Sequence, residues 1–361
     1  MTSPYERMAE LSAAGRSFAL AAVVRTHGST PQTIGAKLVV TADPDERPFG
    51  TLGGGCVEAD AILAARKVLA EGGRSLREYR LNEELDWNTG LVCGGTMWIL
   101  AEPGEDAFAC GDTDVLPELA AAADGASPPI ALVTALVRDG RGFAFDRRMA
   151  VRSDGTSVGT LGDAALDARV AATAVEQLAH GPAKVVAVDD QHDLVIDPVT
   201  GRPHVIIAGG GHVSRAIARQ ARLLEFDVTV LEDRPAFADP DRFDGATVIA
   251  GDVPSAIETL HYGAQTFLIV ATRGHKMDAD CVLAAAKTNA RYVGLLGSRR
   301  KTVLIADMLR EHGVAGERIA AIHAPVGLDL GGRTPAEIAL AILAEVTKIR
   351  CGGTGRALRE I

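Results

Sequence analysis

The stretch HVIIAGGGHVS, residues 204–214, decides the fold of the second half of this 361-residue chain. An apolar strand, His204–Ala208, runs into three glycines and then into a helical segment. The spacing matches the phosphate-binding fingerprint G-x-G-x-x-G/A, with Ser214 in the third position. Gly209 permits the tight turn, Gly211 lets the backbone approach a phosphate, and the helix N-terminus offers free N–H groups. The stretch therefore predicts a βαβ unit that binds a phosphate group.

The residues around this loop suggest a dinucleotide. An acid about 20 positions further on usually binds a ribose, and Glu232 and Asp233 both stand at that distance. Arg234 follows at once, which leaves a 2′-phosphate open and does not decide between NAD and NADP. We also expect His212 and Val213, inside the loop, to lie beside the bound phosphate. The alternative is a Rossmann-like half that serves as a scaffold or binds another nucleotide-like ligand.

Strands and helices alternate through the rest of this half. Strands are predicted at 228–231, 246–250, 266–271 and 291–295, and helices at 213–224, 254–260, 277–288, 299–311 and 335–349. Strands that are apolar throughout indicate a parallel sheet covered on both faces. The last helix has a start signal, because Thr334 and Glu337 form a capping box around Pro335. The fold class is α/β, with a C-terminal Rossmann-like domain over residues 203–350.

The first half has a less regular pattern. Strands are predicted at 18–27, 36–41, 97–100, 130–137, 143–151 and 184–197, and helices at 3–15, 57–69 and 163–179. We interpret this half as an N-terminal α+β domain over residues 1–198, ended by the breaker cluster DPVTGRP at 197–203. Residues 351–361 are predicted to be a flexible tail. No internal repeat is evident.

The composition limits what the chain can do. The formal net charge is −10, which argues against a nucleic-acid-binding protein, because such proteins normally present a basic face. The N-terminus has no apolar core typical of a signal peptide, and no stretch approaches a membrane span of about 18 apolar residues. The five cysteines lack the spacing of a disulfide framework or a zinc knuckle. We expect a cytoplasmic protein without nucleic-acid partner, membrane partner or metal site.

Two cysteines stand beside glycines. Cys56 follows Gly54 and Gly55 at the start of a helix, where exposed N–H groups favour the thiolate, and Glu58 lies two residues on. Cys93 directly precedes another glycine pair. Thiolates are soft ligands that suit a sulfur- or molybdenum-containing group, so these five residues are predicted to bind a cofactor. The alternative is that each cysteine is a small buried hydrophobe.

Other polar clusters follow predicted strands. His275 and Asp278 come after an apolar strand, where they could bind a ligand or handle a proton, or could merely cap the next helix. Ser298 and Arg299 open a helix with three consecutive cations, which is unfavourable for the helix dipole unless an anion binds; a solvated surface is the alternative. Asp329 lies in a long glycine-rich loop and is a further candidate contact.

Taken together, these segments resemble the XdhC/CoxI family of xanthine dehydrogenase accessory proteins, in order and over nearly the whole chain. The matching segments are Gly28–Pro31, Gly50–Glu58, Cys93–Gly95, Gly209–Val213, Asp233–Pro235, Gly274–His275 with Asp278, Gly294–Arg299 and Pro325–Gly331. The resemblance implies a two-domain protein that binds molybdenum cofactor (molybdopterin). It further implies that Cys56 contacts this cofactor. Ser214 departs from the glycine or alanine of the fingerprint.

The resemblance also implies a function and partners. An accessory chaperone would protect the cofactor while a cysteine desulfurase installs its terminal sulfur, and would then insert it into the apo-enzyme of a molybdenum hydroxylase of the xanthine or carbon monoxide dehydrogenase type. Family members tend to be homodimers or larger. The rival hypothesis is an NAD(P)-dependent oxidoreductase acting on a small molecule, with His275 and Asp278 as its catalytic residues. The chain has no Ser-His-Asp order, Walker-type loop or H-E-x-x-H motif, which argues against a conventional hydrolase.

Overall fold

The computed structural model describes residues 3–81, 94–139, 142–189 and 191–360. The chain divides into two compact units, Met1–Gly201 and Arg202–Ile361, and the division falls within the breaker cluster at 197–203. Each unit has its own sheets and its own hydrophobic cores.

The N-terminal unit begins with a helix and a five-stranded antiparallel sheet. The elements are α1 (Pro4–Ala13), β1 (Phe18–His27), β2 (Lys37–Thr41), β3 (Phe49–Gly50), α2 (Gly55–Glu71), β4 (Ser75–Arg80) and β5 (Thr96–Pro103). The strand order in the sheet is β3-β2-β1-β5-β4. Alanines and valines of α2, among them Ala61 and Ala65, pack on one face of this sheet. We call residues 18–103 the first repeat.

A second sheet of the same design follows. A short connection holds β6 (Ala109–Cys110), β7 (Thr113–Asp114) and α3 (Leu116–Asp124). After it come β8 (Ile130–Asp139), β9 (Gly142–Arg152), β10 (Ser157–Gly159), α4 (Ala164–His180), β11 (Lys184–Ala187) and β12 (His192–Val199). The strand order, β10-β9-β8-β12-β11, is that of the first sheet, with α4 in the place of α2. We call residues 130–199 the second repeat.

The sequence prediction that the chain has no internal repeat is therefore wrong. Both repeats run strand, strand, strand, helix, strand, strand, and both have the same sheet order. The only obvious sequence signal is the motif Gly-Thr-Leu-Gly before each helix, at 50–53 and 159–162, with an acid at 58 and 167. The two sheets share a small apolar cluster that includes Leu100, Leu136 and Val195. A buried ion pair, Arg148 Nη2 to Glu102 Oε1 at 2.7 Å, joins the two repeats.

The C-terminal unit is a six-stranded parallel sheet with helices, which confirms the predicted α/β class. Its elements are β13 (His204–Ala208), α5 (His212–Leu223), β14 (Asp227–Glu232), β15 (Thr247–Ala250), α6 (Val253–Thr259), β16 (Thr266–Val270), α7 (His275–Ala285), β17 (Tyr292–Leu295), α8 (Arg299–Glu311), α9 (Gly316–Ala320), β18 (Ile322–His323) and α10 (Pro335–Cys351). Short 3-10 turns lie at Pro240–Arg242 and Leu358–Glu360.

The strand order fixes where a ligand could bind in this unit. The order is β15-β14-β13-β16-β17-β18, so the chain reverses direction across the sheet between β13 and β16. All five strand pairs are parallel. Ligands of open parallel sheets bind beyond the carboxyl ends of the strands at such a reversal. The loops after β13, β14 and β16 therefore define the crevice of interest.

Candidate functional site

The loop before α2 is held by one carboxylate. Glu58 Oε2 accepts hydrogen bonds from Thr51 Oγ1 at 2.7 Å, from the Leu52 N–H at 2.7 Å and from the Gly54 N–H at 3.2 Å. Burial raises the pKa of Glu58, but these three hydrogen bonds outweigh burial and lower the pKa below its usual value. The predicted contribution of Glu58 to cofactor binding stays a prediction; the observed contacts of its carboxylate fix the loop.

Cys56 lies exposed in the first turn of α2. The helix is capped by Gly54 at φ +75°, and among the described residues no side chain bonds to the N–H groups of this turn. A Cβ atom added to Gly54 would meet no described atom within 4 Å. Of the two alternatives for Cys56, a buried hydrophobe is excluded.

Three glycine-containing segments of the first repeat meet at this end of the sheet. A Cβ atom on Gly53 would lie 2.7 Å from Pro31 Cβ, and one on Gly95 would lie 2.7 Å from the carbonyl oxygen of His27. A Cβ atom on Gly28, which has φ +69°, would lie 3.3 Å from Gly95 Cα. The turn at residues 28–31 therefore contacts both the loop before α2 and the segment at 94–95. Cys93 lies outside the described residues.

The second repeat has the same turn without the thiol. Asp167 accepts hydrogen bonds from Thr160 Oγ1 at 2.6 Å and from the Leu161 N–H at 2.7 Å, as Glu58 does in the first repeat. Asp163 caps α4 by accepting from the Leu166 N–H, and Ala165 stands in the place of Cys56. The acid and the Thr-Leu-Gly turn are thus common to both repeats. The uncapped helix start with glycines and a cysteine belongs to the first repeat alone.

The C-terminal unit has a crevice of about 480 Å³ at the reversal point of its sheet. Its lining includes Gly209, Glu232, Arg234, Arg273, His275 and Lys276. Gly209 has φ +108°, and a Cβ atom there would lie 2.5 Å from the Ala271 carbonyl oxygen, so only glycine fits. Gly211 caps α5, which begins at His212, so His212 and Val213 lie in the first turn of this helix and not in the loop; their predicted contact with a phosphate stays a prediction. Ser214, on the same helix, is fully buried.

Glu232, predicted to bind a ribose, accepts four hydrogen bonds from Gly210 and Arg234. Oε1 accepts from the Arg234 N–H at 3.0 Å and from Arg234 Nε at 2.7 Å. Oε2 accepts from the Gly210 N–H at 2.5 Å and from Arg234 Nη2 at 2.8 Å. Burial raises the pKa of Glu232, but the hydrogen bonds prevail and bring the pKa to about 2. The pKa of Asp233 is raised, mainly through its hydrogen bond with Glu232.

Asp278 holds two helices together. Its side chain is fully buried, with Oδ1 accepting from Thr272 Oγ1 at 2.6 Å and Oδ2 paired with Lys301 Nζ. The catalytic function predicted for Asp278 stays a prediction that this burial disfavours, since a proton-transferring group must reach its substrate. His275 is exposed at the start of α7 and lines the crevice.

The three consecutive cations at the start of α8 have different surroundings. Ser298 caps the helix by accepting from the Lys301 N–H at 3.3 Å, and Lys301 turns to Asp278. Arg299 and Arg300 are exposed, and the predicted anion binding by Ser298 and Arg299 stays a prediction. Asp329 is exposed in the loop before α10.

The sequence analysis missed Glu345, whose carboxylate anchors the loop before α10. Glu345 Oε2 accepts from Tyr292 Oη at 2.6 Å and from the Gly327 N–H at 2.8 Å, and Oε1 lies 3.1 Å from His323 Nδ1. Burial raises the pKa of Glu345, yet these partners bring it down to about 2. No local motif marks Glu345, since it lies on the last helix, far along the chain from its partners. Arg273 and Lys276 were also missed, although both flank His275 in the sequence.

The fold and these two glycine loops define a two-unit protein with a duplicated sheet unit and a Rossmann-type unit. The model of the XdhC and CoxI family matches residues 11–80 and 129–189, and that of the XdhC Rossmann domain matches residues 205–346. The chain belongs to the XdhC/CoxI family, as the sequence motifs predicted.

Three curated proteins illustrate the range of relatives. The uncharacterized protein YqeB of Escherichia coli is 34% identical over 239 residues, which cover 61% of this chain and 44% of that protein. A Bacillus subtilis protein, described as a probable subunit of xanthine dehydrogenase, is 24% identical, over 92% of both chains. The molybdenum cofactor insertion chaperone PaoD of Escherichia coli is 25% identical, over 93% of this chain and 84% of that protein.

A solved structure shares the fold. A Bacillus halodurans protein described as a xanthine dehydrogenase superposes with a TM-score of 0.69 at 21% identity, over 96% of this chain and 95% of that chain. None of the helices in the described ranges has the length and apolar character needed to cross a membrane. The described residues also contain no group of three or more His, Cys, Asp or Glu side chains that could hold a metal ion.

Proposed function

We propose that this chain is an accessory protein of molybdenum enzymes, which binds the molybdenum cofactor at the start of α2 and inserts it into an apo-enzyme. Family membership supports an accessory function, and the names of two relatives that align over most of the chain point to molybdenum cofactor and xanthine dehydrogenase. The expected recipient is a molybdenum hydroxylase of the xanthine or carbon monoxide dehydrogenase type.

The difference between the two repeats carries this proposal. Both have the acid-held Thr-Leu-Gly turn, so this turn serves the fold. Only the first repeat replaces the capping Asp163 by Gly54 and places an exposed thiol, Cys56, beside uncapped N–H groups. A thiolate is a soft donor that suits a sulfur- and molybdenum-containing group, and free N–H groups at a helix start favour anions. Among the described residues, Gly54 leaves the space that a bulky ligand requires.

Two finer points of the proposal rest on the family resemblance. The cofactor would stay bound while a cysteine desulfurase supplies its terminal sulfur, and the chain would work as a homodimer. In this scheme the chain protects and hands over its cargo and carries out no turnover of its own. The NAD(P)-dependent oxidoreductase considered from the sequence gains no support from the described residues, since the Asp278 and Glu232 carboxylates are both buried in internal contacts.

The test is retention of pterin by the purified chain. After expression in cells that make molybdenum cofactor, the oxidised pterin is extracted and its fluorescence is measured per mole of protein. We expect Cys56→Ser to retain several-fold less pterin than the wild type. Cys351→Ser is the matched control, because Cys351 is also an exposed free thiol but lies at the end of α10. Equal retention by Cys56→Ser and the wild type would refute the proposal.

A further inference from the structure

Three basic side chains line one wall of the crevice in the C-terminal unit. Arg273, His275 and Lys276 are exposed around the start of α7 and border the same cavity of about 480 Å³. Within the described part of the chain, none of the three makes a hydrogen bond or an ion pair. By contrast, Arg234 is paired with Glu232, and Lys301 is paired with Asp278.

The acids nearby do not neutralise these cations. Asp278, the acid in the first turn of α7, is fully buried against Lys301 and Thr272. Asp233 and Asp280 share the lining of the crevice, but in the described part of the chain neither forms an ion pair with Arg273 or Lys276. The start of α7 is capped by Gly274 with no side-chain hydrogen bond, so its N–H groups add partial positive charge at the same place.

On the opposite wall, one of the two acids predicted to bind a ribose, Glu232, is taken up by internal contacts, whereas the carboxylate of Asp233 beside it is exposed and lines the crevice. A carboxylate has two oxygens with about four lone-pair positions. The Glu232 carboxylate already receives four donors, three from Arg234 and one from the Gly210 N–H, and the residue is 1% exposed. It can accept no further hydrogen bond from the two hydroxyls of a ribose. The guanidinium of Arg234 is itself stacked on Phe237, 3.8 Å from the ring centroid.

We propose that this crevice binds a small phosphate-bearing ligand, with its phosphate held by Arg273, Lys276 and the start of α7. The volume of the cavity falls in the usual range for small-molecule sites, about 300–1,000 Å³. The phosphate belongs either to the pterin cofactor of the proposed function or to a separate nucleotide-like molecule. The binding chemistry is the same for both, and it does not depend on Cys56.

Calorimetric titration of the purified full-length chain tests this assignment, with inorganic pyrophosphate as the probe. We expect pyrophosphate to bind, and Arg273→Ala/Lys276→Ala to weaken its binding by about tenfold or more, since charge-assisted contacts are among the strongest polar ones. Arg219→Ala/Arg310→Ala removes the same charge from exposed positions on α5 and α8 that do not line the crevice, and should keep the wild-type affinity.

An equal pyrophosphate affinity in the wild type and in Arg273→Ala/Lys276→Ala would overturn the assignment. The pterin assay distinguishes the two sources of the phosphate. Loss of pterin from the Arg273→Ala/Lys276→Ala variant would assign the phosphate to the cofactor, whereas full retention with lost pyrophosphate binding would assign it to a separate ligand. Failure of Cys56→Ser to lose pterin would refute only the proposed function.

Discussion

Replacing Glu58 by Gln removes the acceptor that fixes the loop before Cys56. Glu58 Oε2 receives three donors, Thr51 Oγ1, the Leu52 N–H and the Gly54 N–H, at 2.7, 2.7 and 3.2 Å. A glutamine offers a single amide oxygen without charge. Net hydrogen bonds to charged groups contribute about 1.5–3 kcal/mol each. The three bonds share one oxygen and the side chain is half-buried, so we expect a loss of about 2 kcal/mol in unfolding free energy, not their sum.

The second repeat provides the matched control. Asp167→Asn removes the charge from the equivalent turn, where Asp167 accepts from Thr160 Oγ1 and the Leu161 N–H. With two bonds instead of three, the expected loss of stability is about 1–2 kcal/mol. The helix that follows has Ala165 where the first repeat has Cys56, so pterin retention should not change.

Two measurements on each variant test whether the loop before Cys56 binds the pterin. Urea unfolding gives the stability, and fluorescence of the extracted pterin gives the retention per mole of protein. We expect both variants to lose stability but only Glu58→Gln to lose pterin, several-fold. If Asp167→Asn lost pterin to the same degree, the functional division between the two repeats would be wrong. If Glu58→Gln lost stability and kept its pterin, the loop before Cys56 would not be the binding element.

Two further predictions concern buried carboxylates. Glu102→Gln leaves the cation of Arg148, which is almost fully buried, without its partner carboxylate, and should lower the unfolding free energy measured in urea by about 3–5 kcal/mol. The double variant Glu102→Leu with Arg148→Met should have a stability close to that of the wild type. Equal losses of stability in the two variants would contradict this prediction. Glu345 has a pKa lowered to about 2 from an ordinary 4.5, so its contribution is complete above pH 4.5 and is lost as the pH falls toward 2. Glu345→Gln should therefore flatten the decline of stability over that range, and an unchanged decline would exclude the contact.

Local chemistry explains why the C-terminal unit was predicted well from sequence. The glycine loop at 209–211, the apolar run of β13 and the capping box of α10 are each specified by neighbours in the chain, and all three are present in the structure. In the N-terminal unit the pairing is antiparallel and long-range. Strand β4, with the sequence SLREYR, has no apolar alternation and was missed, because only its pairing with β5 makes it a strand.

The sequence by itself determined the order of strands and helices in the second half, the glycine turns and the positions of Cys56 and His275. Only the tertiary structure decided which polar groups are free. Glu232 and Asp278 are acids of the kind that a ligand site requires, yet one is saturated by Gly210 and Arg234 and the other is paired with Lys301. The duplication of the N-terminal sheet was equally hidden. The physical reason is the same in each case: the partner of a side chain or a strand is set by the packing of distant segments, which no local pattern encodes.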